Sequence, residues 1–301
     1  MKTAVLIPCY NESLTVAKVV ADFKEHLPGA DIYVYDNCSE DDTSDVAKAA
    51  GAIVCKARKR GKGNVVRQMF SDVDADTYVL VDGDSTYDAA DAPKMVELLS
   101  AAPADMIVAA RHETSENAYR EGHKFGNWLF NFILKILFKS TFSDIFSGYR
   151  AFTKRFVKTF PIMSDGFDIE AELSIHALTL SIPCAEIKSE YKERPKNSFS
   201  KLNTFKDGIK ILLSIVRLLK ETRPMFFFGI IALFLFLLSV GISIPVILTY
   251  METGLVPRLP TAVLSVGIMM ISFLSFTCGV ILDSLCQARM EIKKLHYLQK
   301  S

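Results

Sequence analysis

Two runs near the end of the chain, residues 225–250 and 259–282, contain no Asp, Glu, Lys, Arg or His. A helix of about 20 apolar residues crosses a hydrocarbon core of roughly 30 Å. Both runs reach that length, and the proline and glycines inside them are tolerated in membrane helices. Buried helices of soluble proteins rarely run so long without a charge, so the chain is expected to cross a membrane twice. The connector, 251–258, is short, which makes the spans a hairpin with both flanks on one side. The incoming flank carries Lys210, Arg217, Lys220 and Arg223, and the outgoing flank Arg289, Lys293, Lys294 and Lys300, whereas the connector has only Arg258. The positive-inside rule then places the preceding domain and both termini in the cytoplasm, as in a multi-pass protein of the cytoplasmic membrane. The opening residues, MKTAVLIP, hold too short an apolar stretch for a signal peptide.

Half of the 301 residues are hydrophobic, and 35 basic against 34 acidic residues leave a net charge of +1. That apolar content excludes a disordered chain, and the charge balance gives no reason to expect a nucleic-acid partner. The six cysteines, Cys9, Cys38, Cys55, Cys184, Cys278 and Cys286, lack metal-site spacing. They are expected as reduced, small buried hydrophobes.

Ahead of the hairpin, short apolar runs alternate with amphipathic stretches. Strands are expected at 4–7, 32–35, 52–56, 77–81 and 106–110, with helices at 13–27 (capped by Ser13), 43–50, 64–73 and 92–101. This alternation predicts an α/β fold with a mostly parallel sheet covered on both faces. Two further segments, 124–139 and 205–220, place a basic or polar stripe along an otherwise apolar helix, the pattern of helices that lie in a membrane surface. No internal repeat, low-complexity tract or heptad run stands out.

Polar clusters follow three of the expected strands: Pro8-Cys9-Tyr10-Asn11-Glu12, Asp36-Asn37-Cys38-Ser39 and Asp82-Gly83-Asp84-Ser85. In parallel sheets ligands bind beyond the carboxyl ends of strands. Asp82 and Asp84 can converge on one cation, and their hard oxygens suit Mg²⁺ or Mn²⁺, which also take phosphate oxygens. Arg111, Arg120, Arg150, Arg194 and Lys201 form a basic set suited to an anionic ligand near the bilayer. The loop at 58–63, RKRGKG, offers backbone N–H groups to phosphates but lacks Walker A spacing.

The stretches IPCYNE (7–12), YDNCSEDDT (35–43), RGKGNVVRQ (60–68), VDGDSTY (81–87), DIFSGYRAF (144–152), GFDIEAEL (166–173) and ERPKNSFSKL (193–202) occur in series. Together they resemble the family 2 glycosyltransferases of the GT-A fold. More narrowly they are similar to polyprenyl-phosphate glycosyltransferases, the group that includes dolichyl-phosphate mannose synthase. The resemblance covers roughly residues 3–220 and implies a GT-A catalytic domain at 1–203. A juxtamembrane helix at 204–224, the hairpin at 225–284 and a basic tail at 285–301 complete the expected domain order. It assigns Pro8, Tyr10, Glu12, Asp36, Lys62, Asp82 and Gly83 to the nucleotide, and Asp82 and Asp84, with Thr86 beside them, to the Mg²⁺ or Mn²⁺ ion. Asp84, Arg111, Arg120 and Arg150 are implied as catalytic, and Arg150, Arg194, Ser200 and Lys201 as holding the acceptor's phosphate. The segments 147–150 and 168–172 would shape the sugar and acceptor side. The chain departs from the family's pattern at Asn37, where a second aspartate is frequent, and at Cys38, where a small polar residue is common.

The implied reaction is inverting transfer of a sugar from a nucleotide-diphosphate sugar to a polyprenyl phosphate, undecaprenyl or dolichyl, at the cytoplasmic face. UDP-glucose or UDP-N-acetylglucosamine is favoured as donor, with GDP-mannose as the alternative. A phosphomonoester has its second pKa near ~6 and is largely an anion at neutral pH, so the nucleophile needs little help from a base. Competing readings are a membrane transferase elongating a glycan, and a non-catalytic membrane protein that binds nucleotide sugar. Homo-oligomerisation is left open.

Overall fold

A computed structural model describes residues 1–101, 103–113, 142–162, 169–192, 216–217 and 219–299. The chain divides into two compact units, Met1–Ile211 with Lys293–Ser301, and Leu212–Ile292.

The first unit is built on seven strands: β1 (Thr3–Cys9), β2 (Asp31–Asp36), β3 (Ile53–Lys56), β4 (Thr77–Leu80), β5 (Met106–Glu113), β6 (Arg150–Thr153) and β7 (Cys184–Tyr191). They form one sheet in the order β3-β2-β1-β4-β6-β5-β7. All pairings are parallel except those of β6, which runs against both β4 and β5. Among the described residues six helices accompany it: α1 (Val16–His26), α2 (Thr43–Ala49), α3 (Lys62–Asp72), α4 (Ala92–Ala101), α5 (Lys154–Thr159) and α6 (Ile169–Leu180). In β1, Ala4 to Ile7 are fully buried, as expected of a central parallel strand covered on both faces. Below the sheet, α1 contributes Val16, Val19, Val20 and Phe23 to the core, and α4 contributes Met95 and Leu99.

The first five strands fall where apolar runs predict them. β6 and β7 are additions. β6 has only four residues and opens on a charged one, so no apolar run announces it. β7 is an edge strand in which buried Ile187 and Ser189 alternate with exposed Lys188 and Glu190. Ser13 does not cap α1: the helix starts at Val16, and Thr15 at its N-cap donates its hydroxyl to the Gly83 carbonyl at 2.7 Å. The segment at 124–139 lies outside the described residues, as does most of 204–224.

The second unit holds two long helices, α7 (Pro224–Thr253) and the greater part of α8 (Leu259–Leu298). The stretch expected as a basic tail from residue 285 is therefore helical to Leu298. Both helices are long and apolar enough to cross a bilayer, and only 11% and 17% of their most apolar windows are buried. That exposure separates them from core helices of soluble domains and suits a lipid environment.

Within the hairpin, Ala232, Ser239 and Val246 are buried on α7, and Ser265, Ser272 and Cys286 on α8, with Gly279 between the last two. Both sets recur every seven residues. A seven-residue repeat keeps one side of each helix facing its partner in a left-handed wrap. The sequence reading found no heptad here because the seam is made of small residues, not the Leu and Ile of a water-soluble coiled coil. Small residues let the backbones approach: a Cβ on Gly279 would lie 3.0 Å from that of Phe228. The Ser239 hydroxyl donates to the Ser265 carbonyl and that of Ser272 to the Ala232 carbonyl, each at 2.7 Å.

The cysteines are all free thiols. Cys9 and Cys286 are buried as expected, but Cys38, at a loop tip, and Cys278, on α8, are exposed.

Candidate active site

Because β2, β1 and β4 are adjacent and parallel, their carboxyl ends emerge along one edge. The chain moves outward from β1 to β3 and then returns to β4, so this edge is also where the winding reverses, the usual site for a ligand crevice. Each strand is followed by a non-glycine residue in the left-handed region: Asn11 (φ 52°), Cys38 (φ 59°) and Ser85 (φ 59°). Such residues are costly and concentrate at functional sites. Here they turn the loops sharply towards one another. The Asn11 N–H donates to Ser39 Oγ at 2.9 Å, Glu40 N–H to Asn11 Oδ1 at 2.8 Å, and Glu12 N–H to Thr43 Oγ1 at 2.8 Å.

On the β1–β2 side, Pro8 and Tyr10 are half-buried and Glu12 is buried. Burial raises the Asp36 carboxyl, but hydrogen bonds from Ser39 N–H (2.8 Å) and Ser44 Oγ (2.6 Å) outweigh it and hold the group below the usual range. Asn37, the departure from a second aspartate, accepts the Gly61 N–H at 2.8 Å through its amide oxygen. It thereby ties the β2 loop to the basic loop at 58–63. From that loop Arg60 lies over the Tyr10 ring, 4.3 Å from its centre, and donates to its hydroxyl.

On the β4 side, Gly83 is required by space: a Cβ there would sit 2.4 Å from Cys9 Sγ. Asp84 is buried, and its Oδ1 accepts from Thr86 Oγ1 at 2.6 Å and from Thr86 N–H at 3.2 Å. Asp82 is more open. A Cβ on Gly148 would approach its Oδ2 to 2.4 Å, so only glycine lets the 147–149 segment pass so close. Gly148 N–H in turn donates to the Tyr87 hydroxyl at 2.9 Å. The other Asp82 oxygen, Oδ1, lies 2.5 Å from Lys62 Nζ, which is also 2.5 Å from Glu170 Oε1. Burial disfavours the Lys62 charge, but the two carboxylates prevail and raise it above the ordinary lysine range. Glu170 is pushed up by burial and by Asp82, with Lys62 pulling the other way.

Asp82 and Asp84 together offer the hard oxygen donors that Mg²⁺ and Mn²⁺ select. Among the described residues no group of three His, Cys, Asp or Glu side chains forms a metal cage. A pair of carboxylates with open positions fits an ion that also takes water or phosphate oxygens, as Mg²⁺ does in nucleotide sites.

The two described arginines of the expected basic set are placed differently from each other. Arg111, at the end of β5, forks onto Asp144 with Nε–Oδ2 at 2.6 Å and Nη2–Oδ1 at 2.8 Å. Burial raises the Asp144 carboxyl, but the Arg111 guanidinium more than offsets it and holds the group below the usual range. Arg150 corrects the expectation of a phosphate ligand. It is fully buried and its guanidinium donates to the carbonyls of Ser147 and Ile145, making it a strut of the turn that carries Gly148. Arg120, Arg194, Ser200, Lys201 and Asp168 lie outside the described residues. The sequence reading missed Asp144, whose role is visible only once β5 is in place. It noted Glu170 within the 168–172 segment, but not as the partner of Lys62.

The family model described as glycosyl transferase family 2 matches residues 4–160. The glycosyltransferase AglJ of Haloferax volcanii is 31% identical over 226 residues, covering 75% of this chain and 74% of that protein. The dolichyl-phosphate hexose transferase of the same organism is 27% identical, covering 73% of this chain and 95% of that protein. Among solved structures, glucosyl-3-phosphoglycerate synthase from Mycobacterium tuberculosis, in complex with Mn²⁺, UDP and glucosyl-3-phosphoglycerate, superposes with a TM-score of 0.59. The match is at 20% identity and covers 73% of this chain and 79% of that one, a likeness of fold.

Proposed function

We propose, from the premise that this chain belongs to glycosyl transferase family 2, that it transfers a sugar from a nucleotide-diphosphate sugar to a polyprenyl phosphate at the cytoplasmic face of a membrane. The observation that carries the reading is the union, in one chain, of a carboxylate-bearing strand edge and two lipid-suited helices. Asp82 and Asp84 would hold Mg²⁺ or Mn²⁺, which when bound neutralises the donor's diphosphate. Tyr10, Glu12 and Asp36 would receive the nucleoside, on the side where the β1 and β2 loops are stitched together. The relative named dolichyl-phosphate hexose transferase supports the lipid acceptor, and a fold neighbour that holds UDP with Mn²⁺ supports a UDP-sugar as donor, with glucose or N-acetylglucosamine as the sugars to test first.

In the step proposed, an oxygen of the acceptor phosphate attacks the anomeric carbon as the bond to the nucleoside diphosphate breaks. The sugar is inverted and the nucleoside diphosphate leaves with the bonding electron pair. An already anionic nucleophile leaves positioning and charge neutralisation as the catalytic load. The test is a panel of labelled UDP- and GDP-sugars offered to the solubilised chain with a short polyprenyl phosphate, read by mass spectrometry of the lipid. A glycosyl-phosphoryl lipid from one UDP-sugar is expected. Label found only in a growing glycan, or in no product, contradicts the reading.

A further inference from the structure

Tyr87 follows Asp84 and Thr86 on the loop that leaves β4, and it is buried. Its ring is gripped from two sides, by the Tyr149 ring at 5.4 Å between centres and by the Tyr191 ring at 5.3 Å. Its backbone is bridged antiparallel to Tyr191 at the end of β7, and beside that bridge the Lys192 N–H donates to the Thr86 carbonyl at 2.8 Å. These contacts leave the phenol little freedom, so its hydroxyl is a fixed point. That hydroxyl accepts the Gly148 N–H at 2.9 Å. Gly148 is buried, and a buried backbone N–H needs a partner. Gly148 in turn backs Asp82. A Cβ there would lie 2.4 Å from Oδ2, 3.0 Å from Cγ and 3.2 Å from Oδ1, so the glycine lies against the whole carboxylate group. The Asp82 side chain, 28% exposed, is thus bounded by Lys62 at Oδ1 and by Gly148 across the carboxylate.

We propose that Tyr87 is a positioning residue for the divalent metal: its hydroxyl pins Gly148 against Asp82 and so fixes the carboxylate that receives the ion. This rests on the reading that Asp82 and Asp84 take Mg²⁺ or Mn²⁺. A carboxylate bounded by packing loses less freedom when it takes an ion, and that saving appears as affinity. Without the hydroxyl, the Gly148 N–H loses its partner, the 147–149 turn draws back, and Asp82 gains orientations that the ion cannot use.

The test is Mn²⁺ binding to the detergent-solubilised full chain, read from the electron paramagnetic resonance of the free ion, with Mn²⁺ alone as the probe. Tyr87→Phe keeps both ring contacts and removes only the hydroxyl. It is expected to weaken Mn²⁺ binding about tenfold, the scale on which a group that orients a metal ligand is felt. Native affinity in Tyr87→Phe overturns the proposal. Gly148→Ala, whose methyl would press on Asp82, is expected to weaken binding at least as much. The double variant should bind no more weakly than Gly148→Ala, because both changes act through one turn. Losses that multiply would put Tyr87 on another route and overturn the proposal. Should Tyr87→Phe fail to fold, the native chain decides. Linkage makes the effect reciprocal, so Mn²⁺ should slow amide hydrogen exchange at 147–149. Unchanged exchange at saturating Mn²⁺ overturns the proposal. Asp84→Asn separates this failure from that of the underlying reading. Loss of Mn²⁺ binding in Asp84→Asn beside native binding in Tyr87→Phe overturns the role of Tyr87 alone. Native binding in Asp84→Asn, or a native chain that binds no Mn²⁺, overturns the metal site and the role of Tyr87 together.

Discussion

The strand edge of the first unit and the helix hairpin of the second bury polar groups in opposite ways. At the strand edge, charges are buried in opposed sets: Lys62 between Asp82 and Glu170, Arg111 on Asp144, and Arg150 on two carbonyls. In the hairpin the buried polar groups are the hydroxyls of Ser239, Ser265 and Ser272, and two of them donate to carbonyls of the facing helix. The difference follows from the surroundings. A buried charge without its partner leaves several kcal/mol uncompensated. A hydroxyl in a membrane helix can return to its own backbone, so its interhelical bond contributes only about 0.6 kcal/mol on average. Charge at the strand edge therefore dictates geometry, while the hairpin is set mainly by the size of its seam residues.

Substitutions can break that contrast. Arg150→Met should destabilise the first unit by about 3–5 kcal/mol in chemical unfolding, because the carbonyls and acidic neighbours of the guanidinium lose their cation. Ser272→Ala should change the unfolding of the hairpin by only about 0.6 kcal/mol. Equal effects would remove the distinction between the two regions.

An effect conditional on acid sharpens it from the side of pH. His176, on α6, is buried against Phe156 and Phe160, and its Nε2 has no hydrogen-bond partner. Burial, with Lys293 adding to it, lowers its pKa from 6.5 to about 4. The unfolded chain therefore takes up the proton first. The stability that His176 contributes is complete above pH 6.5 and is lost as the pH falls towards about 4. His176→Phe should flatten the pH dependence of unfolding of the first unit in that window. An unchanged profile would show that the imidazole titrates as it does in water.

Much of this was legible in the sequence where the signal is local. Five strands announce themselves as apolar runs between turn residues, the two spans as stretches without charge, and Asp82-Gly83-Asp84 by its place after a strand. What escaped depends on distant partners. Arg150 reads as one more basic residue until β6 carries it into the core between β4 and β5. Asp82 and Glu170 are far apart in the chain, and nothing in either neighbourhood shows that they share Lys62. The hairpin seam was present as a seven-residue spacing, but Ala, Ser and Gly do not register as a hydrophobic repeat.

The central claim is that the β4 strand end is the centre of a metal-dependent transfer to a lipid phosphate. It is tested most directly by comparing the native chain with Asp84→Asn in vesicles containing a polyprenyl phosphate, with labelled UDP-sugar and Mn²⁺. Native chain should form glycosyl-phosphoryl lipid, and Asp84→Asn, folded and inserted, should lose at least about 10²-fold in turnover, the scale on which removal of one charge-stabilising group is felt. Near-native turnover by Asp84→Asn would contradict the account.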